Sequence, residues 1–200
     1  MSYVFKALAT AAVICTASGA SADKISLNGL SNYLNQLKTA EGDFTQINDD
    51  GTISSGKIFI KRPGRMRFEY NAPDSAIVLA SNGAVVIDDT KSNQPAETYP
   101  LKRTPLSIIL ARNVDLGQAK MVTGHSYDGI VTIVTAQDPE NADAGQIQMK
   151  FTNDPVQLRQ WVINDSSGGS TTVVLGELKV GGSLPNRIFD PKRINESVNR

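Results

Sequence analysis

Residues 56–70 read Gly56-Lys57-Ile58-Phe59-Ile60-Lys61-Arg62-Pro63-Gly64-Arg65-Met66-Arg67-Phe68-Glu69-Tyr70. The second half alternates strictly. It puts Met66, Phe68 and Tyr70 on one face and Arg65, Arg67 and Glu69 on the other, as a strand with one buried face requires. The first half belongs to a strand expected over 52–61, which Pro63 ends because proline cannot donate to a ladder. These are two short antiparallel strands, and the rest of the chain repeats the theme.

Upstream, Asp49-Asp50-Gly51 reads as a hairpin turn, and Phe44-Thr45-Gln46-Ile47 alternates before it. Leu27, Leu30, Leu34 and Leu37 recur at helical spacing, with Gly42 as the expected stop. Downstream, strands over 76–81 and 84–88 flank Asn82-Gly83, the strongest short hairpin signal in the chain. Thr104-Pro105 predicts an N-cap followed by proline at the first helical position, opening a short helix whose apolar face is Leu106, Ile109 and Leu110. Strands are expected over 120–125 and 130–136 around Asp128-Gly129, then over 145–152, 157–164 and 170–180, the last two joined by Ser166-Ser167-Gly168-Gly169. The polar tail after Phe189 is expected to be loosely held. The pattern is mainly β: roughly nine to eleven antiparallel strands curled into a barrel or half-barrel, one domain, with two helices to cover an apolar face.

The first 22 residues have the layout of a secretory leader. Lys6 lies in a short polar start, an apolar stretch runs from Ala7 to Gly19, and Ala20-Ser21-Ala22 offers small residues for cleavage before Asp23. The expected organisation is a signal peptide over 1–22 and a single domain over 23–200, exported and soluble. The only cysteine, Cys15, lies in the leader, so the remaining chain has no disulfide and no thiol chemistry. Ile14 before it is too large for a lipid-attachment signal. With 20 basic and 20 acidic residues, no nucleic-acid footprint is expected.

Catalytic signals are sparse. His125, the single histidine, lies beside Ser126 and near Asp128, but side chains so close in sequence rarely hold a triad's geometry. No nucleophile elbow, phosphate-cradling glycine loop, zinc set or calcium-loop spacing is present, so no catalytic residue, metal or cofactor is expected. The remaining option is binding by burial. Two segments, 27–37 and 105–110, must cover the apolar face of a curved sheet; packed loosely they enclose an apolar cavity, packed tightly an ordinary core. Periodicity leaves both open.

Several segments, in order, resemble the LolA family, the periplasmic carriers of outer-membrane lipoproteins: Asp43-Phe44-Thr45-Gln46, Gly56 through Pro63, Arg65 through Tyr70 with Pro73, the hairpin from Ile77 to Gly83, and Thr104-Pro105 with the helix after it. The resemblance covers roughly residues 27–112 and implies an incomplete antiparallel barrel of about 11 strands with a helical lid over an apolar cavity. It implies a monomeric carrier and not an enzyme. Its partners would be acylated lipoproteins, an inner-membrane lipoprotein-releasing ABC transporter and an outer-membrane lipoprotein receptor. It also makes Arg62, with Pro63 beside it, the lid latch. Alternation and helix phase, backed by the resemblance, nominate Phe59, Met66, Phe68, Tyr70, Leu79, Leu106, Ile109 and Leu110 for the cavity wall. Two features depart from the family: the strand Val85-Val86-Ile87-Asp88-Asp89 lacks the aromatics common there, and Met66 stands where phenylalanine is common. Arg65 and Arg67 point away from the cavity, toward solvent or toward a partner's acidic patch. A periplasmic sensor on the same scaffold, or a hydrolase using a dispersed acidic pair, is the rival reading.

Overall fold

The computed structural model describes residues 23–196, except 90, 92, 93, 118, 119 and 141. The predicted leader lies outside the described residues, as do the last four. The element order is α1 (Leu27–Gln36), β1 (Thr39–Ile47), β2 (Ile53–Lys61), β3 (Arg65–Tyr70), β4 (Ala76–Ser81), β5 (Ala84–Asp89), β6 (Glu97–Pro100), α2 (Leu106–Leu110), β7 (Val122–Tyr127), β8 (Thr132–Gln137), β9 (Gln146–Asn153), β10 (Val156–Asn164), β11 (Ser170–Leu175) and β12 (Lys179–Val180). The strands form one antiparallel sheet in the order β6-β5-β4-β3-β2-β1-β11-β10-β9-β8-β7, with β12 also pairing β1. The sheet is open: β6 and β7 are its two edges and do not pair with each other.

Local chemistry explains most of the elements. Ser26 caps α1 by accepting a hydrogen bond from the Gly29 N–H, and Leu30 and Leu34 bury its apolar stripe. The helix ends at Gln36, so Gly42 is not its stop. Gly42 lies inside β1, where an added Cβ would sit 2.7 Å from the Glu177 carbonyl oxygen. It is small because the bend between β11 and β12 passes there. Gly51 and Gly83 turn their hairpins with positive φ, as expected of Asp-Gly and Asn-Gly pairs. The expected cap of α2 differs. Thr104 Oγ1 donates back to the Leu101 carbonyl, and Pro105 occupies the N-cap position. The strand expected over 170–180 breaks into β11 and β12. The short β6 was not expected, because its four residues are all exposed and carry no apolar alternation.

Two separate apolar clusters lie on opposite faces of the sheet. The larger fills the inner face beneath α1 and α2 and includes Leu30, Leu34, Ile58, Ile60, Met66, Phe68, Leu106, Ile109, Leu110, Met149, Phe151 and Trp161. The smaller is Phe59, Leu79, Leu184, Ile188 and Phe189 on the outer face.

Candidate functional site

The inner face under the two helices is the candidate site. Cross-strand partners share a face, so the register defines its floor. Met66 lies between Ile60 and Ala80, and Phe68 between Ile58 and Val78. Phe44 packs edge-on to Phe68 and to Tyr70, each at 5.0 Å between ring centroids, and Phe68 meets Trp161 edge-on at 6.3 Å. The Tyr70 hydroxyl donates to Gln46 Oε1 at 2.6 Å. Burial outweighs that contact and pushes the phenol up to about 12, so it is neutral and donating near neutral pH.

Of the eight residues nominated for the wall, Met66, Phe68, Leu106, Ile109 and Leu110 belong to this cluster, and Tyr70 packs against it. Phe59 and Leu79 do not. Both pair with Arg67, in the order Phe59, Arg67, Leu79 across three strands, which places them on the outer face. The alternation that places Met66 and Phe68 inside is sound within β3. Carrying it across the 62–64 turn needs the register, and the register puts Ile58 and Ile60 inside instead of Phe59. Ile58, Ile60, Val78 and Ala80 are therefore the floor residues that sequence reasoning missed; the run Ile58-Phe59-Ile60, apolar on both faces, hides the phase.

Leu106, Ile109 and Leu110 occupy the space above the floor, and Ile58, Ile60, Met66, Phe68 and Ala80 are almost fully inaccessible in this conformation, with Val78 partly buried. The interior is therefore filled by the lid's own side chains. The segment from α2 through residue 117 is fastened at its margin by polar contacts. Gly64 N–H donates to the Leu110 carbonyl at 2.9 Å, and Arg62 Nη2 donates to the Ala111 carbonyl at 2.6 Å. Asn35 of α1 exchanges two hydrogen bonds with the backbone of Val114: Nδ2 donates to its carbonyl at 2.8 Å, and Oδ1 accepts its N–H at 2.9 Å. Ser31 Oγ accepts the Leu116 N–H at 2.9 Å. Arg62 Nη2 also lies 3.5 Å from Asn35 Oδ1. The Arg62 side chain is 94% buried with no carboxylate among its contacts, and burial pushes its guanidinium below the usual arginine value. Pro63 is exposed in the turn; the contact with the lid at this turn comes from Gly64.

The basic cluster around this turn serves another end. Arg67 is fully buried and points neither to solvent nor to a partner. Nη1 donates to the Ile188 carbonyl, Nη2 to those of Ile194 and Glu196, and Nε to Glu69. Arg65 and Lys61 both donate to Asn186 Oδ1. Together they hold the chain from Leu184 to Glu196 against the outer face, so the tail expected to be loose is anchored through residue 196.

His125 Nε2 lies 2.9 Å from the Ile25 carbonyl, and the Asp128 carboxylate accepts the backbone N–H groups of Ile130 and Val131 in its own turn, which holds it below the usual carboxylate range. Histidine and aspartate are each engaged with backbone and not with each other or Ser126. Among the described residues no group of three or more His, Cys, Asp or Glu could hold a metal ion.

The family model described as "Outer membrane lipoprotein carrier protein LolA" matches residues 35–192. The outer-membrane lipoprotein carrier protein of Azotobacter vinelandii is 24% identical over 197 residues, covering 94% of both chains. That of Methylococcus capsulatus is 26% identical over 194 residues, covering 92% of both. Among solved structures, a domain from Vibrio parahaemolyticus described as outer membrane lipoprotein-sorting superposes with a TM-score of 0.53 at 6% identity, over 85% of this chain and 97% of that one.

Proposed function

The chain belongs to the LolA family of outer membrane lipoprotein carrier proteins, and from that premise we propose that it moves lipoproteins through the periplasm with their acyl chains shielded against the inner face of its sheet. Loading is from an inner-membrane lipoprotein-releasing ABC transporter and unloading onto an outer-membrane receptor. The protein works by binding, not by catalysis.

One observation carries this reading: an apolar floor of Ile58, Ile60, Met66 and Phe68 is covered by a segment held at its margin by a few hydrogen bonds. Each acyl methylene moved from water contributes about 0.8 kcal/mol, so two or three chains can replace the lid's leucines and isoleucines without any strong polar contact. Such binding is non-directional, which suits a carrier of many cargoes. In the closed state Arg62 donates to the lid, so it weights the balance between closed and loaded forms. Met66 adds an unbranched side chain that adapts to chains of different shape.

The test is photocrosslinking with a benzophenone side chain at position 109, and at position 59 as the control, against a labelled lipoprotein. Crosslinking from 109 and none from 59 is the expected result. Equal labelling from both, or from 59 alone, rejects the inner face as the cargo site.

A further inference from the structure

Three buried side-chain N–H groups among the described residues have no hydrogen-bond acceptor: Nε and Nη1 of Arg62, and Nε1 of Trp161. All three are donors, so what this interior lacks is acceptors. Burying a donor unpaired is costly, and a folded core ordinarily avoids it. Trp161 is the sharper case. It is fully buried on the inner face of β10, paired with Met149 on one side and Val173 on the other, with Phe68 edge-on to its ring. None of these side chains carries an oxygen. Farther along the same rung, Gln46 pairs with Val173 and its side-chain oxygen accepts from Tyr70, and the Ser54 hydroxyl lies one strand beyond it. A side chain present only to fill this space would need no N–H.

We propose that the Trp161 indole N–H is the polar anchor of the cargo site, donating to the carbonyl oxygen at the head of an acyl chain. This rests on the carrier reading above and names the chemistry that the site selects. Chains joined through an ester or amide bring the missing acceptor into the apolar interior; ether-linked chains of equal length bury the same methylenes and bring no carbonyl. The closed state leaves the donor unmet and the loaded state meets it, so the anchor favours loading and discriminates by linkage.

Trp161 is the only tryptophan of the chain, so its emission reports this position alone. The parent protein is titrated with a synthetic lipopeptide bearing two ester-linked chains and with its di-ether counterpart. Affinities are read by displacement of a fluorescent fatty-acyl probe, and the indole emission is recorded in parallel. The ester form is expected to bind about five-fold more tightly, the scale of one neutral hydrogen bond, and to move the emission to longer wavelength where the ether form does not. Trp161→Phe should lose the preference, binding the two forms equally. Equal binding of both forms by the parent, or a preference that persists in Trp161→Phe, overturns the anchor and leaves the carrier reading standing. Failure of the parent to bind either form overturns both. If Trp161→Phe does not fold, the ester-against-ether contrast in the parent's emission decides alone.

Discussion

Asn35 does for the lid what a neighbouring strand would do. Its amide meets the N–H and the C=O of Val114 together, and Ser31 takes the next N–H in that register, at Leu116. The polar stripe of α1 thus satisfies a stretch of backbone whose side chains, Val114 and Leu116, are buried. Removing either fastener unbalances the closed state. Asn35→Ala should raise the amide exchange rates of Val114 and Leu116 about ten-fold, the effect of losing one to two net hydrogen bonds, with a smaller change in global stability. Arg62→Leu should fold and load but slow the hand-off of cargo to an acceptor membrane. Because Arg62 lies against Asn35 Oδ1, the double variant should show less than the sum of the two effects on exchange. Strict additivity would show the two fasteners to be independent. Arg62 was legible in the sequence only through the family resemblance, since nothing in the spacing separates it from Arg67. Both are buried arginines near one turn. One holds the lid and the other holds carbonyls starting 121 residues downstream, a distance at which no local pattern has reach.

At the scale of elements, the sequence is most informative where the two faces of a strand differ in polarity. β3 appears with the bounds that alternation implies, and β4 with those set by the Asn82-Gly83 turn, which falls where its dihedral demands put it. β2 resists such reading because both its faces are dry: Ile58 and Ile60 under the lid, Phe59 under the C-terminal segment. Sidedness there is decided by pairing with β3, and pairing is tertiary information. Gly56 is what lets those strands close. A Cβ on Gly56 would fall 2.0 Å from the Glu69 carbonyl oxygen and 2.8 Å from the Phe44 ring. Gly56→Ala should therefore cost about 3 kcal/mol, at the upper end for overpacking a tight site, read as a lower urea midpoint. A neutral result would mean that the β2–β3 ladder relaxes at no cost.

For the whole molecule, composition and periodicity specify an antiparallel sheet with covered faces. They do not show that β1 joins β11, or that the sheet has a core on each side. That second core is built from Phe59 and Leu79 and the segment from Leu184 onward, and it accounts for three basic residues that look like a surface patch in the sequence. Truncation after Ser183 should strip Arg67 of its carbonyl partners and bare two large apolar side chains on the outer face, turning a well-behaved protein into one that self-associates with concentration in light scattering. The proposed cargo face lies on the other side, so acyl binding by the soluble fraction should persist. The open sheet carries a last consequence. Since β6 and β7 never bond to one another, spreading them apart breaks no ladder, and the girth of the trough can grow by untwisting alone. A sealed cylinder has a bore set by its strand count and stagger; a split one can swell for a bulky load and shrink when empty, like a cuff without a clasp.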